Sequence, residues 1–317
     1  MRLFALLLAL LCTSSLSART AYSTFGKITI ALLDSASAAA LSQQPDAYTA
    51  EHTPFDLAVR LSGSNFKEAD YLAASAANVR DWPPQEATAI RAAFAEIYKK
   101  TQAERLFLHM PDTVKFIKTT AAEEFGAEGW TRANRIMLNT EAQPISTGLV
   151  AHELWHVISR YNASMRTNAY ALFGFRPCNN VVYKPALHNR VITNPDCPFI
   201  AHYITVKSPD GTKQDAALVF YSKTDYLPGH NSMGDYASVG LLMLTGDDAH
   251  KSPLLKDGEP LIMELETVPD LFAQVGQNTQ YLIHIEEIAA EHFSALITGK
   301  KLPQMSYVES IKKVLSK

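Results

Sequence analysis

Apolar side chains recur with helical spacing between residues 147 and 160, in a stretch that contains no proline. The apolar positions are Leu149, Val150, Leu154, Val157 and Ile158. This pattern predicts an α-helix whose apolar side is anchored in a core. At about 100° per residue, His152 and His156 lie one turn apart on one stripe, and the Glu153 side chain reaches the same space. The stretch therefore predicts a helix that carries a polar, chemically active stripe beside a buried one.

A second dense stretch predicts a helix over about residues 284–298, just before a glycine. The apolar stripe of this helix consists of Ile285, Ala289, Phe293 and Leu296. His284, Glu287 and Glu291 gather on a polar stripe within about 60° of one another, while Glu286 projects elsewhere. A solvated charged face is the alternative interpretation. The largely apolar residues around this stripe favour a helix that is not fully solvated.

Shorter elements are predicted elsewhere in the chain. A proline-led helix is expected over about residues 84–101, and strands over 106–111, 114–118 and 134–139. The clearest hairpin joins residues 199–206 to 215–222 through a turn at 208–211. The strand at 134–139 comes directly before the first helix. We expect this strand to form an edge of the sheet, where an extended chain could pair with its backbone.

The first 18 residues predict a secretory signal peptide. They contain one basic residue, an apolar run of about ten residues and then small residues, and the run is too short to span a membrane. Cleavage is expected near Ser17 or Ala18. A lipoprotein anchor at Cys12 is the alternative, but Leu11 precedes it where a small residue is expected. We therefore predict a secreted or periplasmic protein without a membrane span.

Composition narrows the classes of partner and the state of the cysteines. A net charge of -3 with 19% charged residues gives no basic patch of the kind that binds nucleic acid. After removal of the leader, Cys178 and Cys197 remain. An even pair in an oxidising compartment predicts one disulfide, which would close a loop of about twenty residues. Two free thiols or two soft metal ligands are the alternatives.

The first helix contains the pattern His-Glu-x-x-His, at His152, Glu153 and His156. On a helix, two histidines at this spacing can bind one zinc ion, and the glutamate between them can serve as a general base. The alternative is an amphipathic helix whose histidines are surface residues or satisfied core residues. The strongly apolar surroundings favour the metal site, because two histidines and a glutamate buried without a metal or partners would be costly.

Together the two helices resemble the gluzincin branch of the zinc metallopeptidases, the group that contains thermolysin. Its pattern is His-Glu-x-x-His on one helix and Glu-x-x-x-Asp on a later helix. The resemblance makes His152 and His156 zinc ligands, Glu153 the catalytic base and Glu287 the third ligand. It also makes Glu291 the acid that holds a ligand histidine from outside the coordination sphere. Some exported bacterial proteins of unassigned role are similar to the whole pattern.

Three departures from the gluzincin pattern concern the second helix. Glu291 replaces the aspartate, Glu286 replaces an asparagine that often precedes the ligand glutamate, and the gap between the helices is longer than in thermolysin. His284 and Glu291 are therefore alternative third ligands. The resemblance implies an α+β, zincin-like fold, mostly helical, with a small mixed sheet and an active-site helix pair. Residues 19–317 would form one metallopeptidase domain, mainly helical over 19–105 and catalytic over 106–299, where the disulfide loop and the hairpin are insertions.

The function that this resemblance implies is zinc-dependent hydrolysis of peptide bonds in a peptide or protein substrate, by one zinc ion in a monomer. Glu153 would take a proton from a zinc-activated water and pass it to the leaving amine. Candidates for the side chain that stabilises the oxyanion are His202, Tyr203, Tyr221, Tyr226, His230 and Tyr236, among which we prefer His230 because it lies in a glycine-containing loop. A non-catalytic protein stabilised by its metal, an inactive relative and a zinc amidase acting on cell-wall material are the alternatives.

Overall fold

The computed structural model describes residues 19–207, 210–230 and 232–316, so the predicted signal peptide lies outside the described residues. These residues form nine α-helices, α1 to α9, which span Ser35–Ser42, Pro54–Leu61, Glu68–Asn78, Pro84–Ala103, Thr147–Tyr161, Ala163–Ala171, Pro269–Val275, Ile285–Thr298 and Met305–Leu315. They also form fourteen strands, β1 to β14, which span Ala21–Phe25, Ile28–Leu32, Val79–Arg80, Thr113–Thr119, Gly129–Arg132, Arg135–Leu138, Phe175–Pro177, His202–Lys207, Lys213–Tyr221, Ser238–Thr245, Ser252–Pro253, Leu255–Lys256, Glu259–Pro260 and Ile262–Met263.

The prediction of a mostly helical fold with a small sheet is wrong. The protein is α+β with 40% helix and 21% strand, and most of its strands belong to two six-stranded sheets. Strand β10 illustrates why the sequence pattern predicted too few strands. Its central residues are buried in succession, so they form a continuous apolar run, and such a run does not distinguish a buried strand from a buried helix.

The first sheet has the strand order β1-β2-β4-β6-β5, with β3 paired to β4. Strands β2, β4 and β6 are parallel, whereas β5 runs antiparallel to β6. The predicted strand at 134–139 corresponds to β6, which lies between two neighbours, so the prediction that it forms the edge is wrong. The edge strand is β5. The strand predicted at 106–111 is also wrong, since these residues are irregular.

The second sheet contains the two strands of the predicted hairpin, which are confirmed; residues 208–209 of the predicted turn lie outside the described residues. Strands β8 and β9 pair antiparallel, with Ile204 opposite Ala216, and β9 pairs in turn with β10. The sheet continues as β11-β10-β9-β8-β7, with β14 also paired to β10. One apolar core joins both sheets to the helices and extends in sequence from Ile30 to Leu315.

Helices α5 and α8 are the two predicted helices, and both are confirmed. The Ser146 side chain caps α5 by accepting a hydrogen bond from the Leu149 N–H at 3.1 Å. Gly299 ends α8 with φ of 71°, a left-handed conformation that glycine adopts without strain. The two helices pack against each other: the ring of Trp155 in α5 lies 5.6 Å from the ring of Phe293 in α8. In the described part of the chain, none of the helices has the length and apolar character needed to cross a bilayer.

Candidate metal centre

Three side chains from α5 and α8 converge on one point. The Nε2 atom of His152 lies 3.1 Å from Oε2 of Glu287, and Nε2 of His156 lies 3.6 Å from the same oxygen. One ligand atom from each of these residues lies within 4.8 Å of the other two. The helical spacing of the histidines and the packing of α8 against α5 therefore bring together the two histidines and the distant glutamate that the sequence indicated.

Both imidazoles are held through their other ring nitrogen. Nδ1 of His152 lies 3.1 Å from Glu291, and Nδ1 of His156 lies 2.9 Å from Glu286. A carboxylate at Nδ1 holds the proton there and leaves the Nε2 lone pair available to a metal ion. Glu286 also accepts a hydrogen bond from the Tyr170 hydroxyl. The sequence missed Glu286 because helix phase alone directs it away from Glu287, whereas it faces the deeper histidine, His156.

The Glu287 carboxylate is buried and fixed from both sides. Its Oε1 atom accepts a hydrogen bond from the Asn194 side-chain amide at 2.7 Å, and its Oε2 atom faces the two imidazoles. Burial by itself would raise the pKa of Glu287, but the nearby His156 and His152 lower it to about 2. The group is therefore a carboxylate, the form in which glutamate binds a metal ion.

The carboxylates around the two imidazoles raise the histidine pKa values. Burial would lower the pKa of His156, but Asp196 and Glu287 raise it to about 9. Burial opposes the shift at His152 too, yet hydrogen bonds to Glu287 and Glu291 hold its pKa well above the ordinary value. A metal ion at this position would therefore compete with protons for the two imidazoles.

Glu153 is the side chain from α5 that faces the edge strand. Its Oε2 atom accepts a hydrogen bond from the Thr131 hydroxyl at 2.9 Å. Burial raises its pKa, although His156 and His152 oppose the shift. A Cβ atom at Gly129 would lie 2.9 Å from Oε1 of Glu153, so the absent side chain lets β5 approach this carboxyl. A raised pKa is the property that a carboxyl needs to accept and return a proton near neutral pH.

Asp196 is a fifth acid at the centre, which the sequence did not indicate. It lies on the connection between β7 and β8, with Oδ1 3.9 Å from Nε2 of His156. The same oxygen accepts a hydrogen bond from the Thr131 backbone N–H at 2.6 Å. One ligand atom each from Asp196, Glu153 and His156 could also surround a cation. No sequence pattern pointed to it, because only the folded loop brings it to α5.

The donor set fits a zinc ion on three observations. The His156 side chain is 0% exposed, yet among the described residues its Nε2 atom has no hydrogen-bond partner, which is costly unless a cation accepts the lone pair. The two imidazoles also lie among three glutamates whose pKa values the neighbouring histidines lower, so that negative charge collects around the metal position; these are Glu286, Glu287 and Glu291. Finally, tetrahedral ligands at zinc distances are about 3.3 Å apart, close to the 3.1 Å and 3.6 Å found here.

The centre opens into a cleft of about 970 Å³. Its floor includes His152, Glu153 and Glu287, and one wall is the start of β5 at Gly129. Tyr281, which lies just before α8, forms part of another wall, with its ring 6.3 Å from that of His152. A solvent-accessible cleft beside two His and one carboxylate is the arrangement of a site that leaves a position open for water or substrate.

His230, the predicted oxyanion donor, does not line this cleft. Its side chain is 56% exposed and lies 3.9 Å from Asp235. The loop that contains it is held by the Tyr236 hydroxyl, which donates to the His230 carbonyl at 2.8 Å. The preference for a residue in a glycine-containing loop ignored the position of the loop relative to α5. Tyr281, which the sequence did not single out, lines the cleft.

The predicted disulfide between Cys178 and Cys197 is wrong, since both cysteines are free thiols. The Cys178 N–H bonds to the Ala201 carbonyl at 2.9 Å, so the chain pairs backbone groups just outside β7 and β8 and leaves Cys197 in the connecting loop. Burial raises the pKa of Cys178 to about 11 and that of Cys197 to about 12. The even count and the compartment could not reveal that the two thiols have different neighbours, Lys251 and Asp248 at Cys178 and Glu286 and Arg166 at Cys197.

Comparisons with known proteins provide no relative for this arrangement. A scan against protein-family models, a search of curated proteins and a search of solved structures all return no match to this chain.

Proposed function

We propose that this protein is a zinc-dependent metallopeptidase with a gluzincin-type ligand set. The observation that carries the proposal is the convergence of His152, His156 and Glu287, with Glu153 beside them and an open cleft above. A metal that only stabilised the fold would have no use for Glu153. The proposed export to a secreted or periplasmic location rests on the leader sequence of residues 1–18 alone.

In this proposal His152, His156 and Glu287 hold one zinc ion. Bound zinc supplies a Lewis acid that brings the pKa of a water toward about 7 and polarises the substrate carbonyl. Glu153 accepts the proton of the attacking water and delivers it to the amine that leaves when the peptide bond breaks. The Thr131 hydroxyl keeps the Glu153 carboxylate oriented throughout. Glu291 and Glu286 fix the two imidazoles, so that the ligands do not rotate during the reaction.

Tyr281 is the best-placed residue to stabilise the oxyanion. It lines the cleft beside His152. The Tyr281 residue is 43% exposed, but the local desolvation of its hydroxyl and the field of Glu287, Asp196 and Glu153 raise the pKa of that hydroxyl. The group therefore keeps its proton and can donate it in a hydrogen bond to the carbonyl oxygen as negative charge develops there.

Tyr281→Phe is expected to lower kcat by about 10²-fold, the effect of losing one oxyanion donor, with little change in zinc content. Steady-state kinetics on a fluorogenic peptide and metal analysis measure the two quantities. Tyr226→Phe, a change outside the residues that line the cleft, is the matched control and should keep wild-type kinetics. An unchanged kcat in Tyr281→Phe would remove this residue from the mechanism.

The test of the proposed function is hydrolysis by the purified mature protein together with metal analysis. We expect one zinc ion per chain and cleavage of a casein digest that stops when a chelator removes the zinc and returns when zinc is added back. Zinc at one per chain without cleavage of any peptide would instead identify a metal-stabilised binding protein. Absence of bound zinc would reject the metal site itself.

A further inference from the structure

One face of helix α2 holds the backbone of Thr193 on both sides. The Thr193 N–H and hydroxyl donate to the Asp56 carboxylate at 2.8 Å and 2.6 Å, and the Thr193 carbonyl accepts from the Arg60 guanidinium at 2.6 Å. Asp56 and Arg60 are four residues apart and therefore lie on the same face of the helix. Asp56 is 0% exposed and Thr193 is 2% exposed, so these hydrogen bonds form away from water. We call Asp56 and Arg60 together the α2 clamp.

The α2 clamp is itself held by buried polar groups. Arg60 pairs with Glu124 at 3.1 Å, and Glu124 accepts hydrogen bonds from the Tyr48 and Tyr71 hydroxyls, both at 2.5 Å. A buried ion pair adds little net stability compared with apolar packing. A well-bonded network does, however, make the groups that it contacts rigid. The expected role of the clamp is therefore to fix the position of Thr193.

The segment that follows Thr193 has little other backbone support. The Ile192 N–H bonds to the Phe220 carbonyl at 3.1 Å, so the chain still follows β9 directly before Thr193. In the described part of the chain, the backbone groups of residues 194–199 form no hydrogen bond with other backbone groups. The position of this segment therefore depends on side-chain contacts and on the residue from which it starts.

Asn194, the first residue of this segment, contacts the candidate metal centre. Its side-chain amide donates to Oε1 of Glu287 at 2.7 Å, and its side-chain oxygen accepts from the Asp196 N–H at 2.9 Å. Because Oε1 of Glu287 is engaged in this way, Oε2 is the oxygen that faces the imidazoles, at 3.1 Å from His152 and 3.6 Å from His156. The amide thus fixes which carboxylate oxygen is presented to the metal position.

From these contacts we infer that Asn194 is a positioning residue for the ligand Glu287, and that the α2 clamp positions Asn194 through Thr193. This inference rests on the proposed function, because it concerns how a proposed zinc ligand is held. A group outside the coordination sphere that orients a ligand typically contributes 10- to 100-fold to metal affinity. The connection between β7 and β8, which the sequence presented as an insertion, is then part of the metal centre.

Zinc affinity of Asn194→Ala is the first test. We expect zinc to bind about 10- to 100-fold more weakly than to the wild type, measured by competition with a chelator on protein that circular dichroism shows to be folded. Unchanged affinity in the folded variant would overturn the inference. A wild type that binds no zinc would reject the proposed metal site, and this inference with it.

Thr193→Val tests the clamp with almost no change of side-chain shape. It removes the hydroxyl that donates to Asp56 and keeps the N–H and the carbonyl, so zinc should bind about two- to tenfold more weakly, the effect of one hydrogen bond. Thr205→Val is the matched control, because Thr205 also donates its hydroxyl to an aspartate, Asp215, at 2.6 Å but does not line the cleft. It should bind zinc as the wild type does. Unchanged affinity in Thr193→Val, or an equal loss in both variants, would contradict a role for the clamp.

A double-mutant cycle shows whether Thr193 acts through Asn194. If it does, adding Thr193→Val to Asn194→Ala causes no further loss of zinc affinity, whereas independent effects would add. A loss of the same size in both backgrounds would overturn the proposed route. If Asn194→Ala fails to fold, the comparison of Thr193→Val with Thr205→Val decides the role of the clamp.

The cobalt-substituted protein separates positioning from a general effect on stability. The visible absorption of bound Co²⁺ depends on the geometry of its ligands, so we expect the spectrum to shift in Asn194→Ala and to stay unchanged in Thr205→Val. Identical spectra in Asn194→Ala and the wild type would overturn the inference. A wild type that binds zinc and responds to these substitutions, but cleaves no peptide, would reject the peptidase proposal and leave the role of Asn194 at the metal centre in place.

Discussion

Glu153→Gln lowers kcat/KM by about 10²- to 10⁴-fold, the usual contribution of a general acid–base group, while the zinc content stays at one ion per chain. Glutamine has nearly the same shape as glutamate. Its side-chain oxygen can still accept a hydrogen bond from the Thr131 hydroxyl, which in the wild type bonds to Glu153 at 2.9 Å. It cannot accept a proton from the attacking water. Chemistry is therefore lost while the ligands His152, His156 and Glu287 are untouched.

The measurement for this first prediction is hydrolysis of a fluorogenic peptide, with zinc determined on the same sample. Glu266→Gln, at an exposed position, is the matched control and should retain full activity. If Glu153→Gln remained as active as wild type, Glu153 would not be the base. If zinc were lost together with activity, Glu153 would act through the metal centre rather than on the proton.

His156→Ala is expected to weaken zinc binding by well over about 100-fold, since even the loss of a group outside the coordination sphere costs 10- to 100-fold. The reason is that His156 is one of the three side chains in the proposed ligand set and is fully buried beside the metal position. Competition with a chelator of known affinity measures the loss. Hydrolysis should fall in proportion to the zinc that remains.

Two further variants make the His156 result decisive. His250→Ala removes an imidazole whose side chain is 80% exposed, and it should bind zinc as the wild type does. Because His156 is fully buried, its loss could also unfold the protein, which circular dichroism would reveal. His152→Ala, at a side chain that is 14% exposed, then supplies the same test with less disturbance of the core. Normal zinc affinity in both folded variants would contradict the proposed ligand set.

The elements that the sequence predicted correctly are those with a strong local period. Helices α5 and α8 and the β8–β9 hairpin each have a regular apolar pattern and clear end residues, so short-range physics was enough to place them. Strand β10 and the edge strand β5 lacked such a period or were too short to stand out. The number of strands in the two sheets therefore could not be predicted from the sequence. The fold class predicted from the gluzincin resemblance was wrong because it gave too much helix and too little sheet.

The residues of the candidate metal centre also fall into two groups, those placed by local helix geometry and those placed by tertiary packing. His152, Glu153 and His156 lie within one helical turn, and a helix brings them together wherever it is placed. Glu287 and Glu291 were indicated by a second helix of known phase. Other groups at the centre are set by tertiary packing, and sequence spacing carried no information about them; they are Thr131, Asn194, Asp196, Tyr281 and Glu286.

The corrections at His230 and at the cysteines have one physical cause. The sequence shows which residue types are present, but the position of a loop depends on the backbone pairing of the elements that flank it. The Cys178 thiol lies near Lys251 and the Cys197 thiol near Glu286. The Tyr236 hydroxyl bonds to the His230 carbonyl, in a loop that does not line the cleft.

The sequence by itself determined two helices and the polar stripe on each, because helix geometry converts spacing along the chain into a shared face. Only the tertiary structure decided that those stripes meet, that Asp196 accepts a hydrogen bond from the edge strand, and that Tyr281 rather than His230 borders the cleft. These features depend on contacts between residues far apart in the chain, whose free energy is settled by packing of the whole core and not by any local pattern.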